Sequence, residues 1–158
     1  MVRIVVAPTA FSDWGGLLEL LRSSFAYMAS RIDPPSSLDR IDLAGLRQMA
    51  REETLLLALA GERAIACAFA KEIADALYVG KVAVDSAFRG RGLARRLMAE
   101  AEALARAKGL PFLELQTRVE LVENHRAFAA LGFLKTGETA HPGYDRPTSI
   151  TMRRRVPA

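Results

Sequence analysis

The chain has few of the residues that staple small or secreted folds together. Its one cysteine, Cys67, can close no internal disulfide and build no thiolate zinc site. No apolar run nears the roughly 18 residues of a membrane span; that of Leu55 to Ala60 ends at Gly61 and Glu62. Ile4 to Ala7, behind Arg3, is too short for the apolar core of a signal peptide. Aromatic residues make up only 7% and are not interleaved with the basic ones, so no stacking stripe for nucleic acid is present. Lysine is scarce as well, since 18 of the 22 cationic residues are arginine. A soluble, reducing compartment is expected, most simply the cytoplasm, with neither nucleic acid nor membrane among the partners. A homodimer is left open.

Apolar residues make up 51% and charged residues 25%, a globular composition, and 158 residues suit a single domain over 1–158. The formal charge is +4. An arginine-rich excess suits phosphate or carboxylate, because each planar guanidinium donates two parallel hydrogen bonds. A polyanionic small molecule fits that balance.

The pattern along the chain predicts a strand over Val2–Ala7 and a helix from Trp14 to Met28 capped by Ser12 or Asp13. The Pro34-Pro35-Ser36-Ser37 loop is followed by a second helix over Leu38–Arg51. Three strands come next, Thr54–Ala60, Ala64–Glu72 and Ala76–Val84, joined by short turns and therefore antiparallel. Leu93–Lys108 is the clearest helix, with Leu93, Leu97, Met98, Ala101 and Leu104 at helical spacing and Gly109 as its stop. Then follow a strand Leu113–Thr117, a helix Glu123–Leu131, and a last strand pair, Phe133–Glu138 and Thr148–Arg154. The strand–helix–strand unit from Ala76 to Thr117 calls for a right-handed parallel crossover. The expected class is α/β, a mixed and mostly antiparallel sheet with flanking helices.

The most informative stretch is Val82-Ala83-Val84-Asp85-Ser86-Ala87-Phe88-Arg89-Gly90-Arg91-Gly92-Leu93-Ala94-Arg95-Arg96. A strand feeds a loop with two glycines that opens directly into the strongest helix. The first turn of a helix presents unpaired N–H groups and the positive end of a dipole. Glycine lets an anion approach the backbone, and Arg89, Arg91, Arg95 and Arg96 add countercharge. A pyrophosphate would fit. A Walker loop is excluded by the missing Gly-Lys-Ser/Thr, and a dinucleotide fingerprint by Arg95 where its third glycine belongs.

Arg89-Gly90-Arg91-Gly92-Leu93-Ala94 resembles the Arg/Gln-x-x-Gly-x-Gly/Ala signature of the GCN5-related N-acetyltransferases, the GNAT superfamily. Val82-Ala83-Val84-Asp85 resembles that family's acetyl-CoA strand, and Leu131-Gly132-Phe133 its downstream Leu-Gly-Phe. The resemblance implies a central parallel strand pair that splays apart, with acetyl-CoA as cosubstrate between the strands and no metal. Backbone groups of Val82, Ala83 and Val84 would meet the pantetheine arm, and Val84 N–H is a candidate oxyanion donor. Arg89, Gly90, Arg91, Gly92, Leu93, Ala94, Arg95 and Arg96 would hold the pyrophosphate, and Asn124 and Phe128 would border the cofactor. The implied function is transfer of an acetyl group to a primary amine of a small molecule or peptide, by direct attack in a ternary complex. The alternative is a CoA-binding sensor or partner module with impaired catalysis.

That alternative comes from departures. Phe128 stands where the family commonly has a tyrosine acid, Tyr78 where several members place a glutamate base, and Leu121 where an asparagine often contacts the cofactor. Substitute proton handlers are Tyr78, Glu114, Tyr144 and His141. Each has a plainer reading: Tyr78 as a packed aromatic, Glu114 and Gln116 as strand polar groups with partners, His141 and Tyr144 as turn residues. Tyr27 and Arg31 are expected at the acceptor site, with Arg31 either clamping an acceptor carboxylate or pairing with Asp33. Tyr27, Arg31, Tyr78, Glu114 and Tyr144 are expected to converge on the mouth of the splay, with Tyr78 on the same strand face as Val82 and Val84.

Overall fold

A computed structural model describes residues 1–158. Seven strands form one sheet: β1 (Val2–Val6), β2 (Thr54–Ala60), β3 (Arg63–Ile73), β4 (Ala76–Val84), β5 (Phe112–Arg118), β6 (Leu134–Thr139) and β7 (Ser149–Arg155). Four helices flank it: α1 (Trp14–Met28), α2 (Leu43–Glu52), α3 (Leu93–Ala107) and α4 (Val122–Ala130). The sheet order is β1-β2-β3-β4-β5-β7-β6, and only β4 and β5 run parallel. No helix is long and apolar enough to cross a membrane.

The element order is the one the patterning predicts, with one boundary shifted by more than a residue. The second helix begins at Leu43, not Leu38, because Ser36 caps a separate short turn over Ser37–Arg40 and Ile41 is extended. Asp42 then caps α2 by accepting from Gly45 N–H at 2.7 Å. Asp13 caps α1 in the same way, accepting from Gly16 N–H at 3.2 Å, and its other oxygen accepts from Ala64 N–H at 3.0 Å. One carboxylate thus starts α1 and fixes it to the edge of β3.

The sheet separates two apolar cores. On one face α3 and the Leu131–Phe133 segment pack against Leu77, Val79, Leu113 and Leu115. On the other, α1 and α2 bury Leu17, Leu21 and Leu46 against Leu57, Cys67 and Phe69. The four α1 leucines, Leu17, Leu18, Leu20 and Leu21, are buried, each worth roughly 1.5–3 kcal/mol relative to exposure.

β4 departs from regular strand geometry at one point. Cys67 pairs with Ala83 and Phe69 with Gly80, so Ala68 alone stands opposite both Lys81 and Val82. This is a β-bulge, and Lys81 takes the left-handed φ of +53° that it requires. The bulge exchanges the faces of β4: Leu77 and Val79 belong to the α3 side, and so do Val82 and Val84, while Ala83 belongs to the α1 side. Tyr78 therefore faces α1 and α2, opposite to Val82 and Val84. The expectation of a shared face fails because the extra residue breaks the two-residue period.

The Cys67 thiol donates to Lys81 O at 3.4 Å, inside the bulge. Burial pushes this thiol up to about 12. Ellman's reagent should therefore leave the native chain unmodified at pH 8 and release one equivalent once it is unfolded in guanidinium. Rapid reaction of native protein would show that the bulge opens readily.

Candidate functional site

The parallel ladder holds three pairs, Ala76–Phe112, Leu77–Leu113 and Tyr78–Glu114, and then stops. Beyond it β4 stays with β3, through Cys67–Ala83 and Ala66–Val84, while β5 stays with β7 as far as Arg118–Ser149. The two strands part, leaving one backbone edge of each without a strand partner.

At the far end of β4, Asp85 accepts from Ala87 N–H at 2.9 Å and pairs with Arg63 at 2.6 Å, which fixes the turn Ser86–Phe88. Gly90 and Gly92 follow at φ +78° and +75°, a conformation open to glycine and strained for other residues. A Cβ at either position would meet nothing within 4 Å, so the loop lies open to a ligand. Gly92 begins α3 without a side-chain cap. The N–H groups of Gly90 to Arg95 have no acceptor within the chain, whereas Arg96 N–H is already spent on Gly92 O at 3.0 Å. This row of free donors at a helix N-terminus fits a pyrophosphate. Arg96 contributes no backbone donor, which narrows the expected set by one.

A groove of about 460 Å³ runs from this loop along Val82, Val84, Leu93 and Ala94 to Asn124 and Phe128. A second cleft of about 420 Å³ passes through the splay itself, between Tyr78, Lys81, Gln116 and Arg118, under the loop that follows α1. The two cavities meet at Ser24, Met28, Val82, Asn124 and Phe128. The residues expected to border a cofactor therefore sit together at the join. Phe128 is held there edge-on against Phe133, with centroids 6.2 Å apart.

The five residues expected to converge do not. Tyr78 lines the cleft at the apex of the splay, its phenol pushed up by burial with the charge of Glu114 adding to it, so it stays protonated at neutral pH. Glu114 is turned away: Arg153 Nε donates to it at 2.8 Å on the far side of β5, and the same guanidinium grips Asp75. Tyr144 donates to Asp33 at 2.6 Å, and Arg146 pairs with Asp33 at 3.3 Å. That contact ties the β6–β7 loop to the loop after α1 and consumes the phenol outside the cleft. Tyr27 donates to Glu123 at 2.9 Å and lines the cofactor groove, with Arg89 5.8 Å from its ring centroid. Arg31 grips Glu123 through both nitrogens and also donates to Tyr27 at 3.1 Å. It pairs neither with Asp33 nor with the cleft, because the first turn of α4 brings a nearer carboxylate.

His141 does line the cleft, from the β6–β7 loop. Its ring Nδ1 contacts Thr148 Oγ1, and its backbone N–H donates to the same oxygen at 2.9 Å. Burial, with Arg118 nearby, holds its imidazole below the usual histidine value and hence neutral at pH 7. Lys81, Arg118 and Arg40 also line the cleft, and sequence reasoning passed over all three. Arg118 donates to Pro34 O at 2.6 Å and Pro35 O at 3.2 Å, and burial lowers its pKa. The even spacing of Gln116 and Arg118 from Glu114 was the available signal for Arg118; nothing local in the sequence marks Lys81 as a bulge.

The model of the acetyltransferase (GNAT) family matches residues 14–133. No curated protein matches the chain. Among solved structures, the PaiA N-acetyltransferase of Thermoplasma acidophilum, in complex with coenzyme A, has a TM-score of 0.78 at 16% identity, over 97% of this chain and 99% of that one. A GNAT-family acetyltransferase of Staphylococcus aureus Mu50 gives 0.76 at 12%, over 99% and 100%. The ribosomal-protein-S18-alanine N-acetyltransferase of Escherichia coli gives 0.67 at 18%, over 99% and 94%. At these identities the likeness is one of fold.

The hydrogen bond from Arg31 holds the Glu123 carboxyl down from 4.5 to about 2. Because the folded value lies below the unfolded one, the tie is fully present above about pH 4.5 and is lost as pH falls through about 2. Carbon-detected NMR should find Glu123 titrating near pH 2, and Arg31→Met should return it to the ordinary carboxylate range. An ordinary value in the unaltered chain would mean the contact is not formed in solution.

Proposed function

The chain belongs to the acetyltransferase (GNAT) family, and on that premise we propose that it transfers an acetyl group from acetyl-CoA to a primary amine of a small molecule or peptide, in a ternary complex. The observation that carries this reading is the row of free N–H donors from Gly90 to Arg95 opening onto a splayed, unpaired strand edge. Acetyl-CoA supplies an acyl thioester, whose carbonyl carbon is attacked by the amine as the C–N bond forms and the C–S bond breaks.

The chain's own groups would bind and position. Gly90 to Arg95 N–H groups take the pyrophosphate, with Arg89 as countercharge. The free edge of β4 from Val82 to Val84 takes the pantetheine amides as an added strand would. Asn124 and Phe128 line the join between the cavities, where the thioester would lie. Two groups remain in the cleft for proton movement. The protonated Tyr78 phenol is the donor to the leaving thiolate, and the neutral His141 imidazole accepts the amine proton through water. Glu114 and Tyr144 drop out of that role because Arg153 and Asp33 hold them. Localisation in the cytoplasm and independence of nucleic acid, membrane and metal belong to the same reading. The module without catalysis has no observation of its own in its favour, since a cleft with two proton handlers adjoins the cofactor groove.

Purified protein given acetyl-CoA and an amine panel should release free thiol. CoA should bind by calorimetry and stabilise the fold by roughly 2–4 kcal/mol at 100- to 1,000-fold excess over its dissociation constant. Gly92→Asp, which strains the φ of +75° and puts a carboxylate against the donors, should weaken CoA binding at least tenfold. Unchanged binding would move the phosphate site elsewhere. Tyr78→Phe should lower kcat and flatten the alkaline limb of its pH profile, and His141→Gln the acidic limb. Unaltered profiles would remove both residues from proton transfer.

A further inference from the structure

The cleft that opens through the splay is lined by Arg40, Lys81 and Arg118, and by no aspartate or glutamate. Two of these cations form no ion pair. Neither Lys81 nor Arg118 has a carboxylate oxygen within 4.0 Å, although the chain forms ion pairs at many other arginines. Arg118 is held by two proline carbonyls, which orient the guanidinium without cancelling its charge. The carboxylates that act on it, Glu120 and Asp33, stand beyond ion-pair distance, with Asp33 bound by Tyr144 and Arg146 and Glu120 accepting from Asp33 N–H at 3.1 Å. Lys81 points from the bulge to the α1 side of the sheet, its ammonium 6.0 Å from the Phe69 ring centroid. A partly buried cation without a counterion is disfavoured unless an anion arrives to meet it.

These cations are separate from the phosphate site. The residues shared by the two cavities, Ser24, Met28, Val82, Asn124 and Phe128, include no charged group. Arg89 belongs to the cofactor groove alone, and Lys81 and Arg118 to the cleft alone. Leu21, Met28, Ile32 and Leu38 of α1 and its following loop, with Leu115 of β5, give the cleft wall an apolar patch, beside the polar Ser24, Ser37, Gln116 and Thr117.

We infer that the acceptor is an amine that also carries a carboxylate, the chemistry of an α-amino acid, with Lys81 and Arg118 reading the carboxylate. The inference rests on the acetyl-transfer reading above. It also accounts for the missing carboxylate base. Positive charges beside the bound ammonium disfavour its charged form and lower its pKa, so the amine is delivered neutral, ready to attack. A polyamine, by contrast, would be repelled from the same walls.

The test compares matched acceptors with acetyl-CoA and a thiol readout: L-leucine and L-phenylalanine, each against its amide and its decarboxylated amine, with spermidine and O-phosphoethanolamine alongside. The amides are a stringent comparison, since their amines are less basic and more often free. The acids should exceed their amides at least tenfold in kcat/KM. Lys81→Gln should bring that ratio towards one by raising KM for the acids more than for the amides. Arg118→Gln, which retains a donor for the proline carbonyls and removes the charge, should do the same if Lys81→Gln fails to fold. Amides equal to acids, a preference for spermidine, or a ratio unmoved in both variants would overturn the inference and leave the transferase reading intact. A preference for phosphoethanolamine would overturn the carboxylate in favour of a phosphate. If no amine is turned over, calorimetry of L-leucine and L-phenylalanine against CoA-loaded protein separates the two readings. Binding would keep the ligand assignment and refute transfer; no binding would refute both.

Discussion

The β4–β5 ladder closes three residue pairs and then ends, and the site is arranged around the backbone groups it leaves free. Unpaired N–H and C=O groups inside a fold are expensive, so a sheet does not part at its centre without compensation. Here β4 and β5 each keep their outer neighbour, which preserves half of the hydrogen bonding on either side of the gap. The bulge at Lys81 lets β4 bend away while remaining bonded to β3. The vacancy between the strands has the shape and polarity of an extended, amide-bearing chain.

Charge is distributed around that gap with the same economy. Most of the acidic groups near the site are consumed by arginines whose work is structural: Asp85 by Arg63, Asp75 and Glu114 by Arg153, Glu102 by Arg154 and Arg106, Glu123 by Arg31. Among the cations left without a carboxylate partner are those of the glycine loop on one side of the splay and Lys81 and Arg118 on the other. The small net charge of +4 understates both fields, because each acts over a short range in a partly enclosed space.

Local signals carried most of the fold. Asp13 and Asp42 as caps, the glycines of the phosphate loop, the 3.6-residue period of α3 and the short turns between β2, β3 and β4 are all readable from neighbours in the chain. The cofactor side of the site was readable for the same reason, being built from contiguous residues. The acceptor side was not. Its arrangement depends on pairings across the chain, such as Arg31 with Glu123, Arg153 with Glu114 and Tyr144 with Asp33, for which sequence offers several equally plausible partners. The face of Tyr78 was misjudged because the bulge lies at a lysine, where the two-residue period gives no warning.

The contact among Tyr27, Arg31 and Glu123 joins the end of α1, on one side of the sheet, to the start of α4, on the other. It works as a strut. The backbone sets where the gap begins, and this side-chain brace, reaching across 92 positions of sequence, ties the two sides at its outer end. A brace made of exposed charges weakens as counterions screen them. The tie at the outer end is thus more sensitive to ionic strength than the strand ladder that roots the gap.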